Sequence, residues 1–268
     1  MIGSTKYFTS LKSFRDSYQD RLLFVVSARN ESKVRLIAKK NDDVIVVRGE
    51  PKVSDIPLTP KAYDCDLVVG IGGGSVIDWA KYIYVQQNKI QLTTSRNGAL
   101  KMNRIPRLGG LIVIPTLLGS GAEWSSSCPI VHDGQKMYLS HPHLIPYTVN
   151  VENMCHQNYT EHQFKNQIAD IFSHLFESLF SRRIPKFDYD LILGFLKEMK
   201  RNIELREEFD FTDLYMLNHY ASLAQDKYLV GPAHALAHTH YNHLGHANAV
   251  ALSMYIVYSK EEYSEILK

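Results

Sequence analysis

The chain has 268 residues, 45% hydrophobic and 22% charged, which suits one large or two ordinary globular domains. Its 30 basic and 28 acidic residues give a net charge of +2 with no long run of one sign, so we expect no nucleic-acid partner. The N-terminal residues lack the apolar core of a secretion signal, and no segment approaches the ~18 apolar residues of a membrane span. The three cysteines form no CxxC pair. We therefore expect a cytoplasmic protein without membrane contact.

The first half of the chain alternates between two kinds of segment. Short apolar runs rich in β-branched residues predict buried parallel strands at residues 22–26, 43–47, 66–71 and 110–115. Helical spacing at 30–40 and 76–87 predicts βαβ units and a doubly wound sheet. From about residue 150 amphipathic segments replace the strands. We therefore expect an α/β domain over 1–152 and an all-helical domain over 153–268.

In the stretch VVGIGGGSVIDWAK, residues 68–81, a predicted buried strand is followed by three consecutive glycines, Gly72, Gly73 and Gly74. Ser75 stands where a helix N-cap belongs, and Asp78 follows three residues later as its capping-box partner. Glycines let a pyrophosphate approach the backbone, and the N–H groups of a helix start favour its charge. The pattern predicts an anion cradle, with a flexible strand-to-helix turn as the alternative.

The stretch TEHQFKNQIADIFSHLFESLF opens with Thr160 and Gln163, a capping-box pattern. Asp170, His174 and Glu177 lie at i, i+4 and i+7 on one helical face. The opposite face carries the apolar residues Phe164, Ile168, Phe172, Leu175 and Leu179. By periodicity alone the polar face is the exposed stripe of a surface helix.

Histidines are concentrated in GPAHALAHTHYNHLGHANAV, residues 231–250, which holds five of the chain's twelve within thirteen positions. By composition alone they can bind a metal, carry protons or lie at the surface. His234 and His238 are one helical turn apart, and His246 precedes an apolar run.

Three motifs in order resemble the iron-containing alcohol dehydrogenase family, in the superfamily shared with glycerol dehydrogenase and dehydroquinate synthase. They are GGGSVIDWAK, IPTLLGSGAEWSSSCPI and GQKMYLSHPHLIPYTVNVENM. The resemblance runs from about residue 64 to about 255, and family members usually continue for several more helices, so the chain resembles a C-terminally shortened member. It implies an α/β dinucleotide-binding domain with a mostly parallel sheet, followed by an all-α metal-binding domain of the dehydroquinate synthase type.

The resemblance also implies a nicotinamide dinucleotide cofactor. The residues it places at the phosphates, or in the helix that holds them, are Gly72, Gly73, Gly74, Ser75 and Asp78. Those it places on the nicotinamide and ribose side are Pro115, Thr116, Gly119, Ser120 and Gly121.

The choice between NAD and NADP depends on the residues after the first strand. Many NAD-using relatives have an aspartate there, whereas this chain has Ser27, Ala28 and Arg29. Since an arginine can pair with a 2′-phosphate, we lean to NADP. A surface arginine without a role is the alternative.

For the metal, the resemblance implies Asp170, His174, His234 and His246 as ligands. One carboxylate and three imidazoles suit Fe²⁺ or Zn²⁺ and leave an open coordination position for catalysis. The spacing after His234 is slightly shorter than usual in the family, so His243 is the alternative for the last ligand.

Two further residues have a catalytic role by resemblance. His238 would relay the proton of the alcohol to solvent. Lys136 matches a family lysine near substrate or nicotinamide, with an exposed surface lysine as the alternative.

The predicted function is a metal-dependent NAD(P) oxidoreductase that interconverts a small, polar, polyhydroxylated alcohol and its carbonyl compound. A cyclase or lyase of the dehydroquinate synthase type, and a catalytically weak cofactor-binding or scaffold protein, are the alternatives. In the longer relatives the additional helices help to enclose the active-site cleft. Because a large exposed apolar surface is disfavoured, we expect another subunit to cover this region in a homo-oligomer.

Overall fold

The structure is a computed structural model in two compact units. One unit is Met1–Leu117 with Ala122–Gln157, and the other is Leu118–Gly121 with Asn158–Lys268. The described residues are 6–55, 62, 64–94, 100–104, 110–132, 134–152, 154, 160–205, 211–241, 244 and 246–259. The predicted division after residue 152 stays a prediction, because residues 153 and 155–159 lie outside that set.

The first unit contains a six-stranded sheet in which every neighbouring pair is parallel. Its strands are β1 (Lys6–Phe8), β2 (Leu22–Ser27), β3 (Asp43–Val47), β4 (Leu67–Gly72), β7 (Leu111–Pro115) and β10 (Tyr147–Val151). The four predicted strands are confirmed as β2, β3, β4 and β7. The short strands β1 and β10 pair with each other at one side of the sheet and were not predicted.

Among the described residues of this unit, the α-helices are α1 (Leu11–Asp16), α2 (Ala28–Arg35) and α3 (Gly74–Gln87). Both predicted helices are present as α2 and α3. The helix predicted at 30–40 begins two residues earlier and ends at Arg35, and the one predicted at 76–87 begins at Gly74.

The strand order β1-β10-β7-β4-β2-β3 places the reversal of winding between β2 and β4. From β2 the chain passes to β3 on one side and then returns to β4 on the other, pairing Val26 with Ile71 near the carboxyl ends. Ligands of open α/β sheets bind outside the carboxyl ends of strands at such a reversal. The glycine motif and Arg29 both follow these two strands.

Alternate residues of β2 enter two different apolar clusters, which explains its continuous hydrophobic run. Leu23 and Val25 belong to a cluster with Trp79 and Ile83 of α3. Phe24 belongs to a second cluster, with Phe14 of α1 and Val34 of α2. Both faces of the sheet are therefore covered, as expected for parallel strands.

A second sheet of four strands in the same unit was not predicted. In the order β5-β6-β9-β8, its strands are β5 (Leu92–Thr94), β6 (Leu100–Met102), β9 (Gln135–Ser140) and β8 (Ser127–His132). Only the β6–β9 pair is parallel.

The second unit contains helices, as predicted for the region beyond residue 150. Its described helices are α4 (Glu161–Ser178), α5 (Lys186–Leu205), α6 (Phe211–Tyr228), α7 (Pro232–His240) and α8 (His246–Tyr258). Helix α4 packs against α5, α6 and α8, and α7 packs against α8. In the described part of the chain, no helix combines the length and apolar character of a membrane span.

Candidate functional site

The predicted phosphate cradle lies where β4 runs into α3. Gly73 is the N-cap, with extended backbone angles, and the helix begins at Gly74. The prediction that Ser75 is the N-cap and Asp78 its capping-box partner is wrong, because Ser75 already lies inside the first turn. No side-chain hydrogen bond caps α3 among the described residues, and its first turn contains no acidic residue. This helix start therefore suits an anion.

Packing leaves no room for a side chain at Gly72 and brings the side chain of Leu117 close to Gly73. A Cβ at Gly72 would lie 2.6 Å from Cβ of Val76, so the helix approaches the strand too closely for any side chain. A Cβ at Gly73 would lie 2.9 Å from Cδ1 of Leu117. These contacts are with the protein itself, whereas the sequence alone predicts space for a pyrophosphate at these glycines.

The second predicted cofactor loop is divided between the two units. Pro115 ends β7, and the backbone N–H of Thr116 donates to the carbonyl oxygen of Gly72 at 2.9 Å, within the first unit. Gly119, Ser120 and Gly121 belong to the second unit.

Two buried amide side chains of the second unit hold this short segment. The backbone N–H of Leu118 donates to Oε1 of Gln167, and that of Gly119 to Oδ1 of Asn218, each at 2.8 Å. Gly119 has φ +106°, and a Cβ there would lie 3.3 Å from Cβ of Asp170. The segment is therefore fixed directly against the helix that carries two predicted metal ligands.

Asp170, His174, His234 and His246 lie together in the second unit. Each offers one donor atom, and the four atoms lie within 4.8 Å of one another. Oδ1 of Asp170 lies 3.3 Å from Nε2 of His246, and 3.8 Å from Nε2 of both His174 and His234. The first three side chains are buried, and that of His246 is 30% exposed.

Three helices bring these residues together. Asp170 and His174 are one turn apart on α4, which begins at the predicted capping box of Thr160 and Gln163. Helix α7 has Gly231 as its N-cap, begins at Pro232 and carries His234, and His246 begins α8.

The donor set fits a cation. Oδ1 of Asp170 and Nε2 of His234 are buried and have no hydrogen-bond partner among the described residues. Buried polar atoms without a hydrogen-bond partner destabilise a fold and are uncommon. A divalent ion bound by one carboxylate and three imidazoles would satisfy both atoms.

Burial and neighbouring charges set the protonation of the cluster. Burial, reinforced by His234 and His246, lowers the pKa of His174 to about 3 against the opposing effect of Asp170. Burial would raise the pKa of Asp170, but His246, His174 and His234 hold it well below its ordinary value. Burial also opposes a charge on His234, yet Asp170 and Glu177 raise its pKa to about 9. Asp170 is therefore a carboxylate and His174 a neutral imidazole, the forms that bind metals, whereas His234 must release a proton when it binds one.

The polar face of α4 is buried, so its interpretation as an exposed stripe is wrong. Asp170, His174 and Glu177 are each at most 2% exposed, whereas the apolar Phe164 and Ile168 are only partly buried. Periodicity shows which residues share a face of a helix, but not which face the neighbouring helices cover.

Sequence reasoning assigned no role to Glu177, which contacts His234. Oε2 of Glu177 lies 2.6 Å from Nδ1 of His234. Burial would raise the pKa of Glu177, but the hydrogen bonds from His234, Ala233 and Gly231 keep it below its ordinary value. The sequence signal for this contact is the i+7 spacing of Glu177 from Asp170, which places both on one face of α4.

The remaining candidate residues occupy different places. The His238 ring, partly buried on α7, stacks with that of His246 at 5.2 Å between centroids. Nζ of Lys136, on β9, lies 2.6 Å from Oε1 of Glu50. Arg29 is exposed in the first turn of α2. His243, the alternative last ligand, lies outside the described residues.

Comparison with known proteins places the chain in a family. The model of the family described as iron-containing alcohol dehydrogenase matches residues 7–152. The chain belongs to this family. The family implies a divalent metal, iron, and a nucleotide cofactor.

Two kinds of relative agree with this assignment. The probable alcohol dehydrogenase EutG of Escherichia coli (strain K12) is 25% identical over 237 residues, which cover 81% of this chain and 59% of the relative. The chain thus spans about three fifths of that relative's length. The iron-containing alcohol dehydrogenase of Thermococcus thioreducens has a TM-score of 0.77 at 22% identity, covering 99% of this chain and 79% of its own. The iron-containing alcohol dehydrogenase of Thermotoga maritima has a TM-score of 0.70 at 21% identity, and the match covers 99% of this chain and 80% of the Thermotoga chain. These structures share the fold, which confirms the predicted fold class.

Proposed function

We propose that the protein is a metal-dependent NAD(P) oxidoreductase that interconverts a small, polar, polyhydroxylated alcohol and its carbonyl compound. The observation that carries the proposal is the cluster of one carboxylate and three imidazoles within 4.8 Å, with buried atoms that lack hydrogen-bond partners in the described part of the chain. Family membership supports oxidoreductase chemistry.

In this proposal Asp170, His174, His234 and His246 would hold Fe²⁺ or Zn²⁺ beside the substrate oxygen. When bound, the metal supplies a Lewis acid that polarises this oxygen, and the dinucleotide supplies the acceptor or donor of the hydride. Alcohol oxidation releases one hydride from carbon and one proton from oxygen. His238, stacked on His246, takes this proton and passes it to solvent.

The dinucleotide would bind at the carboxyl ends of β2 and β4. The support is the uncapped start of α3 at Gly74, which favours the pyrophosphate, and the reversal of strand order beside it. Arg29, exposed in the first turn of α2, would pair with a 2′-phosphate and favour NADP. Lys136, held by Glu50, would lie near substrate or nicotinamide.

The test mixes purified, metal-loaded protein with NADPH or NADH and a panel of small carbonyl compounds that includes hydroxylated ones. Net oxidation of the cofactor, with polyhydroxylated products preferred and NADPH favoured, is expected. Turnover of a substrate without net change in the cofactor would contradict the proposal in favour of a cyclase or lyase. Tight cofactor binding without any turnover would contradict it in favour of a binding protein. Arg29→Ala should weaken NADPH binding and leave NADH binding unchanged.

A further inference from the structure

Glu177 is a buried carboxylate that accepts hydrogen bonds from the start of α7 and from the end of α8. It lies one turn after His174 on α4 and is 2% exposed. Its oxygens accept from the backbone N–H groups of Gly231 at 2.9 Å and Ala233 at 2.7 Å, at the start of α7. The hydroxyl of Tyr258, at the end of α8, donates to Oε1 at 2.9 Å.

His234 also donates to this carboxylate, through its backbone N–H at 3.4 Å from Oε2 and through its imidazole. Nδ1 of this ring lies 2.6 Å from Oε2 of Glu177. Because an ionised carboxylate only accepts hydrogen bonds, Nδ1 must carry a proton. In the neutral ring, Nε2 then has the free lone pair, and this atom is buried, 3.8 Å from Oδ1 of Asp170.

The backbone at Gly231 permits this close approach. A Cβ at position 231 would lie 2.7 Å from Oε1 of Glu177, so a side chain there would push the carboxylate away from the helix start. A glycine immediately before Pro232 therefore allows one carboxylate to bind both the first N–H groups of α7 and the ring of His234.

We propose that Glu177 is a positioning residue of the metal site. It fixes His234 in the tautomer whose Nε2 can bind a metal, and it joins the start of α7 to α4 in the orientation that brings this atom to Asp170. The inference rests on the metal site of the proposed function. Partners of metal-binding histidines act in this way, and their loss weakens metal binding about 10–100-fold.

The test compares the Zn²⁺ affinity of the wild type with that of Glu177→Gln, by competition with a chromophoric chelator. Glutamine keeps the size of the side chain but brings an N–H donor and no charge, so it no longer requires a proton on Nδ1. We expect Glu177→Gln to bind Zn²⁺ about 10–100-fold more weakly. Glu161→Gln is the matched control, since Glu161 lies exposed on the same helix and pairs only at the surface with Lys165. It should keep the wild-type affinity.

A second measurement does not depend on the variant folding. The ¹⁵N chemical shifts of the His234 ring in metal-free wild-type protein, recorded above its pKa of about 9 so that the ring is neutral, report which nitrogen is protonated. A proton on Nδ1 is expected, and a neutral ring protonated on Nε2 alone would overturn the inference.

The outcomes separate the inference from the function on which it rests. If His246→Ala weakens Zn²⁺ binding while a folded Glu177→Gln binds like the wild type, the inference is overturned and the metal site stands. If the wild type binds no Zn²⁺, the metal site and the inference are both overturned.

Discussion

Nε2 of His246 lies 3.3 Å from Oδ1 of Asp170, so the first residue of α8 meets the middle of α4. The same oxygen lies 3.8 Å from Nε2 of His174 and from Nε2 of His234, which exceeds hydrogen-bond distance. This carboxylate oxygen lies among three imidazoles and has no hydrogen-bond partner among the described residues. We interpret this spacing as room for an ion.

His238 should affect turnover without affecting metal content. Its ring stacks on His246 at 5.2 Å, and the proposal gives it a proton rather than a metal bond. His238→Asn should leave bound metal nearly intact and slow turnover. Initial rates and metal analysis by mass spectrometry are the measurements. His240→Asn, an exposed position on the same helix, is the control. Loss of metal from His238→Asn would make it a ligand instead.

Gly73→Val should abolish dinucleotide binding. Its Cβ would meet Leu117, and the branched side chain would stand at the helix start that is proposed to bind the pyrophosphate. Isothermal calorimetry gives the affinity, and circular dichroism checks that both variants fold. Gly194→Val is the control, because a Cβ at Gly194 meets nothing within 4 Å. An unchanged affinity of Gly73→Val would remove the cradle assignment.

Gly121→Ala should destabilise the protein more than Gly134→Ala. Both glycines have left-handed backbones, at φ +66° and +74°, so alanine costs about 1–2 kcal/mol at either position. A Cβ at Gly121 would in addition overlap Ser222, whereas at Gly134 it meets nothing within 4 Å. Urea denaturation followed by circular dichroism gives the free energies of unfolding. Equal losses would mean that the segment is not held against α6 as described.

The pair of Arg15 and Asp42 should make unfolding depend on pH. Nε of Arg15 lies 2.7 Å from Oδ2 of Asp42, and both side chains are buried. Burial would raise the pKa of Asp42, but Arg15 and the N–H groups of Leu22 and Lys39 lower it below its ordinary value. As the pH falls, the carboxyl of Asp42 therefore takes up its proton at a higher pH in the unfolded chain than in the folded protein. The stabilisation by Asp42 is complete above about pH 4 and is lost as the pH falls through the folded pKa.

Asp42→Asn should accordingly cost about 3–5 kcal/mol near pH 7, because it leaves Arg15 buried without its counter-charge. The cost relative to the wild type should shrink below about pH 4. Urea denaturation at a series of pH values tests both statements. Glu31→Gln, which breaks an exposed pair with Arg35 on α2, should cost no more than about 0.5 kcal/mol. A cost for Asp42→Asn that stays constant down to pH 2 would contradict the assignment.

Much of the sheet was predictable because its central strands are buried on both faces. Residues 22–26 are a continuous apolar run, and the structure extends this strand by one residue. The edge strand at 43–47, apolar after Asp43, is also reproduced, although it is only partly buried. The second sheet was not predictable by the same signal. Its strand β5 is three residues long, and β9 exposes alternate residues, so neither forms a continuous apolar run.

The candidate site was predictable in part. The family resemblance, and not the spacing alone, implied Asp170, His174 and His246 as ligands, and the structure brings these residues together. The burial of α4's polar face depends on its neighbours α6 and α8, which periodicity does not specify. The N-cap of α3 was missed for a local reason. Gly73 takes the extended N-cap conformation, so the helix begins before Ser75.

The metal content of purified His246→Ala, beside that of the wild type and His243→Ala, tests the central claim most directly. Mass spectrometry of the wild type should show about one Fe²⁺ or Zn²⁺ per chain. His246→Ala should lose most of it, since it removes one of four protein ligands, and excess metal should partly restore occupancy. His243→Ala should keep the wild-type content. Loss of metal from His243→Ala alone would contradict the choice of His246, and full retention by both variants would contradict the metal site itself.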